Sequence, residues 1–364
     1  MTSSSNRINR FVRAPLRTLR AYHVPPAAGL IKLDAMENPY GWPEWLRNDW
    51  LDTLRQAALN RYPDPAAQAL KARLRQVLDV PGSAELMLGN GSDELIQMII
   101  QTVAAPGRVI MAPEPTFVMY RQLAVVAGLE FRGVPLRADF SLDANALIEA
   151  IGIYQPAVLF LAYPNNPTGN LFEREVIETL LSCAPGLVVL DEAYAPFADD
   201  SFLDALGCCD NLLVLRTLSK LGLAGVRLGM LAGDPHWLAE IEKTRLPYNI
   251  STLDQLTGEF ALRHYAVFEE QARLIREQRS ELLERLRKLA GVTVYPSAAN
   301  FILFRVAPGS GAAVFEGLKA AGVLIKNLAG SAPALSDCLR VTVGMPEENA
   351  VFVTALESLL STSG

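Results

Sequence analysis

Four polar clusters each follow a short apolar run, and their residue types could do chemistry together. In TLSKLGLAGVRLG (217–229), Lys220 stands between the hydroxyls of Thr217 and Ser219 and a glycine-rich turn, with Arg227 just beyond. A lysine held partly out of water has a lowered pKa and becomes a nucleophile for carbonyls. The planar fork of Arg227 suits phosphate. A solvated turn lysine is the plainer alternative. In LVVLDEAY, Asp191 ends a wholly apolar strand, and Tyr194 follows. Burying a carboxylate without a partner is costly, so Asp191 calls for a bound cationic group or an arginine. In AVLFLAYPNNPTGN, Asn166 could offer its amide to a ligand oxygen, or Asn165 and Asn166 could be turn residues only. In ELMLGNGSDELIQMII, Gly89 and Gly91 allow a tight turn, and Ser92 and Asp93 open a helix. The free N–H groups of such a start bind anions, phosphate in particular, although an ordinary N-cap reads the same way.

One ligand uses an anion cradle, a buried carboxylate, an amide and a reactive amine at once: pyridoxal 5'-phosphate. Lys220 would form a Schiff base with its aldehyde. Asp191 would pair with the protonated pyridine nitrogen and keep the ring an electron sink. Asn166 and Tyr194 would hydrogen-bond the ring hydroxyl. Gly91, Ser92, Asp93, Thr217, Ser219 and Arg227 would hold the phosphate. Phe117, in PEPTFVMY, could stack on the ring face or be a core aromatic.

The elements that must position these residues show in the hydrophobic pattern. Residues 1–48 are rich in Pro, Gly and Arg and read as an irregular arm. Helical periodicity begins in DWLDTLRQAAL and returns in PAAQALKARLRQVL. Short apolar runs then alternate with helical stretches as far as RLGMLAG, which predicts a mostly parallel α/β sheet covered on both faces. Ligands of such sheets bind at the carboxyl ends of strands, where all four clusters fall. Two helical stretches follow over 252–289. VTVY, FILFR, VLIK and LRVTV then read as strands of a smaller α+β unit. The expected division is an arm over 1–48 that joins the small domain, a large cofactor domain over 49–260, and a small domain over 261–364.

Composition narrows the function. A net charge of -6 argues against a nucleic-acid partner. The cysteines Cys183, Cys208, Cys209 and Cys338 and three scattered histidines fit no metal pattern, and no metal is expected. Cysteine use suggests a reducing compartment. No signal-like or membrane-length apolar run is visible, so a cytoplasmic protein without a membrane partner is expected. GNGSDE lacks the dinucleotide glycine spacing, and no glycine loop leads to a Walker lysine.

The motifs NNPTGN, LDEAY and TLSKLGLAGVRLG, in this order, resemble those of the fold-type I pyridoxal-phosphate aminotransferases of the aspartate aminotransferase superfamily. ENPYG, RYPDP, GNGSDELI, YPNNPTGN and CLRVTVG are most similar to the histidinol-phosphate aminotransferase branch. The resemblance covers nearly the whole chain. It implies a large domain with a seven-stranded sheet, a smaller α+β domain, and a homodimer with its sites at the subunit interface. It implies transamination between L-histidinol phosphate and 2-oxoglutarate, giving imidazole acetol phosphate and glutamate, as in histidine biosynthesis. It further implies that Tyr62 reaches the partner's cofactor phosphate and substrate, and that Tyr22, Asn38, Asn166 and Arg340 contact substrate. Two positions depart from the branch. Lys326 stands where a second phosphate-binding arginine is common, and Phe117 where tyrosine is common. Other enzymes of this scaffold are alternatives: a threonine-phosphate decarboxylase, or an aromatic or broad-range amino-acid aminotransferase. A non-catalytic pyridoxal-phosphate-binding protein is a more distant one.

Overall fold

The computed structural model describes residues 3–19, 21 and 26–362. Its strands in chain order are β1 (Ile31–Lys32), β2 (Glu85–Asn90), β3 (Val109–Glu114), β4 (Glu130–Pro135), β5 (Val158–Ala162), β6 (Leu187–Asp191) and β7 (Leu212–Thr217). They continue with β8 (Leu228–Gly233), β9 (Thr293–Val294), β10 (Phe301–Arg305), β11 (Val323–Leu324), β12 (Lys326–Asn327) and β13 (Cys338–Thr342).

The main sheet has seven strands in the order β2-β8-β7-β6-β5-β3-β4. Only β8 runs against the rest: it pairs antiparallel with both β2 and β7. β5 and β6 are buried at every position, as a strand covered on both faces must be. One face packs Leu159, Leu161, Val188 and Leu190 against helices that include Gln68–Val77, Arg174–Cys183 and Thr252–Arg263. The other packs Val158, Phe160, Val189 and Leu213 against Ser92–Thr102, Val118–Ala127 and Pro235–Glu242.

The direction of the strands decides where the chemistry falls. The carboxyl ends of β2, β3, β5, β6 and β7 share one edge of the sheet, and the amino end of β8 joins them there.

The smaller unit is a four-stranded antiparallel sheet, β12-β13-β10-β9. β1 pairs in parallel with β11, which ties the later part of the arm to this unit. The two cores exchange within the long Tyr265–Arg287 helix: Phe268 belongs to the large core and Ala272 to the small one. The change therefore comes inside that helix, some turns beyond residue 260. The arm is not wholly irregular, as its composition suggested. Ser3–Phe11 and Ala14–Thr18 are helical, the second with Pro15 in its first turn, where a missing N–H costs nothing. Arg13 anchors it by donating to the Val126 carbonyl near the end of the Val118–Ala127 helix. No described helix is long and apolar enough to cross a membrane.

Candidate active site

A cleft with about 560 Å³ of empty space opens at that shared edge, lined by Met36, Phe117, Asn166, Asp191, Lys220, Arg227 and their neighbours. β7 ends at Thr217, and a turn of 3₁₀ helix, Ser219–Leu221, presents Lys220 to the cleft. Nζ lies 3.4 Å from the Ala35 carbonyl oxygen and 5.6 Å from the centre of the Tyr194 ring. Loss of hydration, and then the nearby Arg340 charge, push the amine down to about 8.

Asp191 and its neighbour Glu192 are both buried, and the structure treats them differently. Glu192 is matched: Arg216 Nη2 lies 2.8 Å from its Oε2, and Ser201 and the Phe202 N–H donate to it as well. Among the described residues Asp191 has no ion pair. It accepts from Tyr120 Oη at 2.7 Å and from the Ala193 N–H at 3.2 Å. Burial above all pushes it up to about 6. An anion this buried, with neutral donors only, has room for one cation from the cleft.

The anion cradle forms where β2 and β8 meet the loop after β7. Gly91, at φ 86°, turns the chain into the Ser92–Thr102 helix. A Cβ there would lie 2.5 Å from Arg227 Nη2, so the glycine also makes room for the guanidinium. A Cβ on Gly229 would lie 2.8 Å from Ser92 N, so this glycine lets the helix start sit against β8. Arg227 Nη1 donates to Ser219 Oγ at 3.2 Å, Thr217 Oγ1 lies 3.0 Å from that same oxygen, and Arg227 Nη2 is 3.8 Å from Asp93 Oδ2. Helix start, two hydroxyls and a guanidinium thus converge with one carboxylate between them.

The two asparagines of YPNNPTGN have separate places. Asn165 is wholly buried and holds its own loop, donating to Pro115 O and Thr168 Oγ1 and accepting from Thr116 Oγ1. Asn166 lines the cleft; its Nδ2 is 3.2 Å from Tyr194 Oη, and its Oδ1 accepts from Arg340 Nη1 at 2.5 Å. Arg340, buried in β13, also donates to the Asp34 carbonyl at 3.1 Å and lies over the Phe301 ring. Lys326 is its direct partner across β12-β13, which puts the two side chains on one face of the small sheet. Phe117 caps the Val118–Ala127 helix at the cleft wall.

Three expected residues are not in this cluster. Asn38 is spent on structure: its amide donates to Leu221 O and Gln271 Oε1, and its oxygen accepts from the Tyr40 N–H. It braces the turn that carries Lys220 and has no amide hydrogen left over for a substrate. Tyr62 is 79% exposed and stacked on Tyr248, outside the cleft of its own chain. Tyr22 lies outside the described residues. The sequence reading missed Tyr120 and Met36. Tyr120 looks like a core aromatic on a helix, and its only signal is a hydroxyl one turn after Phe117. Met36, in a left-handed conformation at φ 53°, is held by Thr342 Oγ1 on its N–H and Asn300 Nδ2 on its carbonyl; no local pattern marks it.

The donor set fits pyridoxal phosphate. The cradle matches a phosphate, Asp191 a ring cation, Asn166 and Tyr194 a ring hydroxyl, and Lys220 an aldehyde.

Comparison with known proteins shows the family. The family model described as aminotransferase class I and II matches residues 28–356. Histidinol-phosphate aminotransferase 2 of Nitrosococcus oceani is 55% identical over 98% of this chain and 99% of its own length. Histidinol-phosphate aminotransferase 2 of Cupriavidus pinatubonensis is 52% identical over 97% of each chain. Among solved structures, histidinol-phosphate aminotransferase from Sinorhizobium meliloti in complex with pyridoxal-5'-phosphate superposes with a TM-score of 0.85 at 24% identity, covering 98% of each chain. That last likeness is one of fold.

Proposed function

The chain belongs to the class I and II aminotransferase family, and from that premise we propose that it uses pyridoxal 5'-phosphate to pass the amino group of L-histidinol phosphate to 2-oxoglutarate. The products are imidazole acetol phosphate and glutamate. The observation that carries the reading is Lys220: an amine pushed down to about 8, lining one cleft with the phosphate cradle and with a buried carboxylate that has no ion pair among the described residues. The names of the two bacterial relatives support the substrate.

When bound, the cofactor supplies a carbonyl for the amine and a ring that accepts the electrons of the breaking C–H bond. The chain's own residues do the rest. Ser92, Thr217, Ser219 and Arg227 bind the phosphate, and Asp191 holds its negative charge toward the ring nitrogen. Asn166 and Tyr194 hold the ring hydroxyl, and Phe117 covers a ring face. Lys220 Nζ would act as the general base that takes the proton from the substrate carbon and holds it for return. Arg340, with Lys326 beside it, binds the anionic end of the substrate. One pair of cations on a sheet face can serve first a phosphate and then a carboxylate. An amino donor and an amino acceptor that arrive in turn at one site make a ping-pong cycle.

The reading includes a homodimer. Tyr62 stacks on Tyr248 and both are exposed, as are Leu59, Leu246 and Leu253, close to these two in sequence. Covering by a second copy would let Tyr62 reach that copy's cradle.

The test is a half-reaction. Purified, cofactor-loaded protein is mixed with L-histidinol phosphate and no keto acid. Loss of the yellow absorbance with release of imidazole acetol phosphate, and of no carbon dioxide, is expected. Bleaching by aromatic amino acids alone would move the substrate. Lys220→Ala is expected to fold and bind phosphate but to show no turnover; turnover near the parental rate would remove Lys220 from the reaction.

A further inference from the structure

Tyr120 has no part in the chemistry described so far, yet it is fixed on three sides. It is fully buried, and its hydroxyl donates to Asp191 Oδ2 at 2.7 Å. Its ring stacks on Phe160 of β5, with centroids 4.7 Å apart and planes at 8°. It also meets Phe117 edge-on at 5.6 Å and 85°. Packing alone would be met by phenylalanine. A buried hydroxyl in this place is explained by what it touches. Asp191 must be held by a donor, because an anion without one is too costly at this depth. It must not be held by a cation, because an arginine there would spend the charge that the cofactor ring needs. Glu192, one residue on, shows the other outcome, with its charge given to Arg216.

We propose that Tyr120 is a positioning residue of the transamination reaction, holding Asp191 ionised and aimed at the cleft through a neutral hydrogen bond. The proposal rests on the function inferred above. The groups facing Asp191 agree with it. Burial, and the like charges of Asp93 and Glu192, favour its protonated form, whereas Tyr120 and the Ala193 N–H favour the anion. Burial and the Asp191 charge hold the Tyr120 hydroxyl well above the ordinary phenol range, so it stays a donor.

The experiment is Tyr120→Phe, which keeps the stack and removes only the donor. The Asp191 carboxyl is followed by carbon NMR in cofactor-free protein, with Asp191→Asn to assign the signal. A charged hydrogen bond of ordinary strength predicts an upward displacement of about one to two pH units. In the loaded enzyme, kcat at neutral pH should fall about ten-fold or more while KM for the amino donor stays, as befits a loss felt at the ring and not in substrate binding. An Asp191 that titrates at the same pH in both proteins overturns the proposal, and so does an unchanged kcat. A reading that needs no folded variant comes from the unaltered protein. The Tyr120 Cζ signal should move at the pH where Asp191 titrates; a signal that stays flat there also overturns it. Because the titrations use no substrate, their failure would leave the transamination reading standing.

Discussion

At the scale of single residues, two ionisable groups carry measurable consequences. Lys220 is pushed down to about 8, so its neutral amine is the major form only above that pH. The rate at which cofactor-free protein captures pyridoxal phosphate should therefore rise with pH and level off above about 8; a midpoint near the ordinary lysine value would show a solvated amine. Asp191 has the opposite displacement, up to about 6 from 3.8. The folded cofactor-free chain then holds this proton more tightly than the unfolded chain does. Stability must fall as pH rises from about 4 to about 6, by roughly 3 kcal/mol from this group. Denaturant melts of parent and Asp191→Asn over that range should show the slope in the parent and its loss in the variant. Much of this residue chemistry was legible in the sequence, because a lysine or an aspartate after an apolar strand breaks the pattern. Tyr120 was not, because a tyrosine among apolar helix positions breaks nothing. Asn38 misled for a related reason: the motif fixes its place, but only the packed structure shows that the Leu221 carbonyl and Gln271 use up its amide.

At the scale of elements, the site depends on how closely β2, β8 and the Ser92–Thr102 helix approach one another. Gly91 sits at φ 86° and ψ 166°, a region nearly closed to other residues. Gly91→Ala should cost about 1–3 kcal/mol of stability. It should also displace Arg227 and weaken cofactor retention. Thermal melts with and without pyridoxal phosphate would check both, and an unchanged ligand-induced rise in Tm would show that the cradle tolerates a methyl group. Strands β2, β3 and β5–β8 were visible as apolar runs, because burial on both faces leaves no polar alternation. β4 was not: it is an edge strand, and of its six residues only Val134 is fully buried. The antiparallel course of β8 was also invisible, since a buried strand reads alike in either direction. The arm helices were missed because Arg, Pro and Ser dominate their composition.

At the scale of the whole molecule, the placing of Tyr62 outside its own cleft gives a test of assembly. Lys220→Ala chains and Tyr62→Ala chains, each weakly active or inactive, should recover activity on mixing and re-equilibration. A two-fold dimer with sites shared between copies restores one intact site per mixed dimer, about a quarter of the parental activity in an equal mixture. No recovery would place Tyr62 in the site of its own chain or outside any site. The other whole-molecule feature is the pair of lengths over which the cleft is closed. The loop that carries Lys220 and Arg227 is shut by Thr217 Oγ1 on the Leu228 carbonyl, 11 residues apart, whereas Arg340 meets Asn166 across 174. Closing the shorter span loses far less chain entropy. In refolding, the loop that carries Lys220 and Arg227 should therefore close before Arg340 meets Asn166, and every residue of the cradle, from Gly91 to Arg227, precedes Arg340 in the chain. A nascent chain could thus be ready to hold its cofactor while the residues that choose the substrate are still being synthesised.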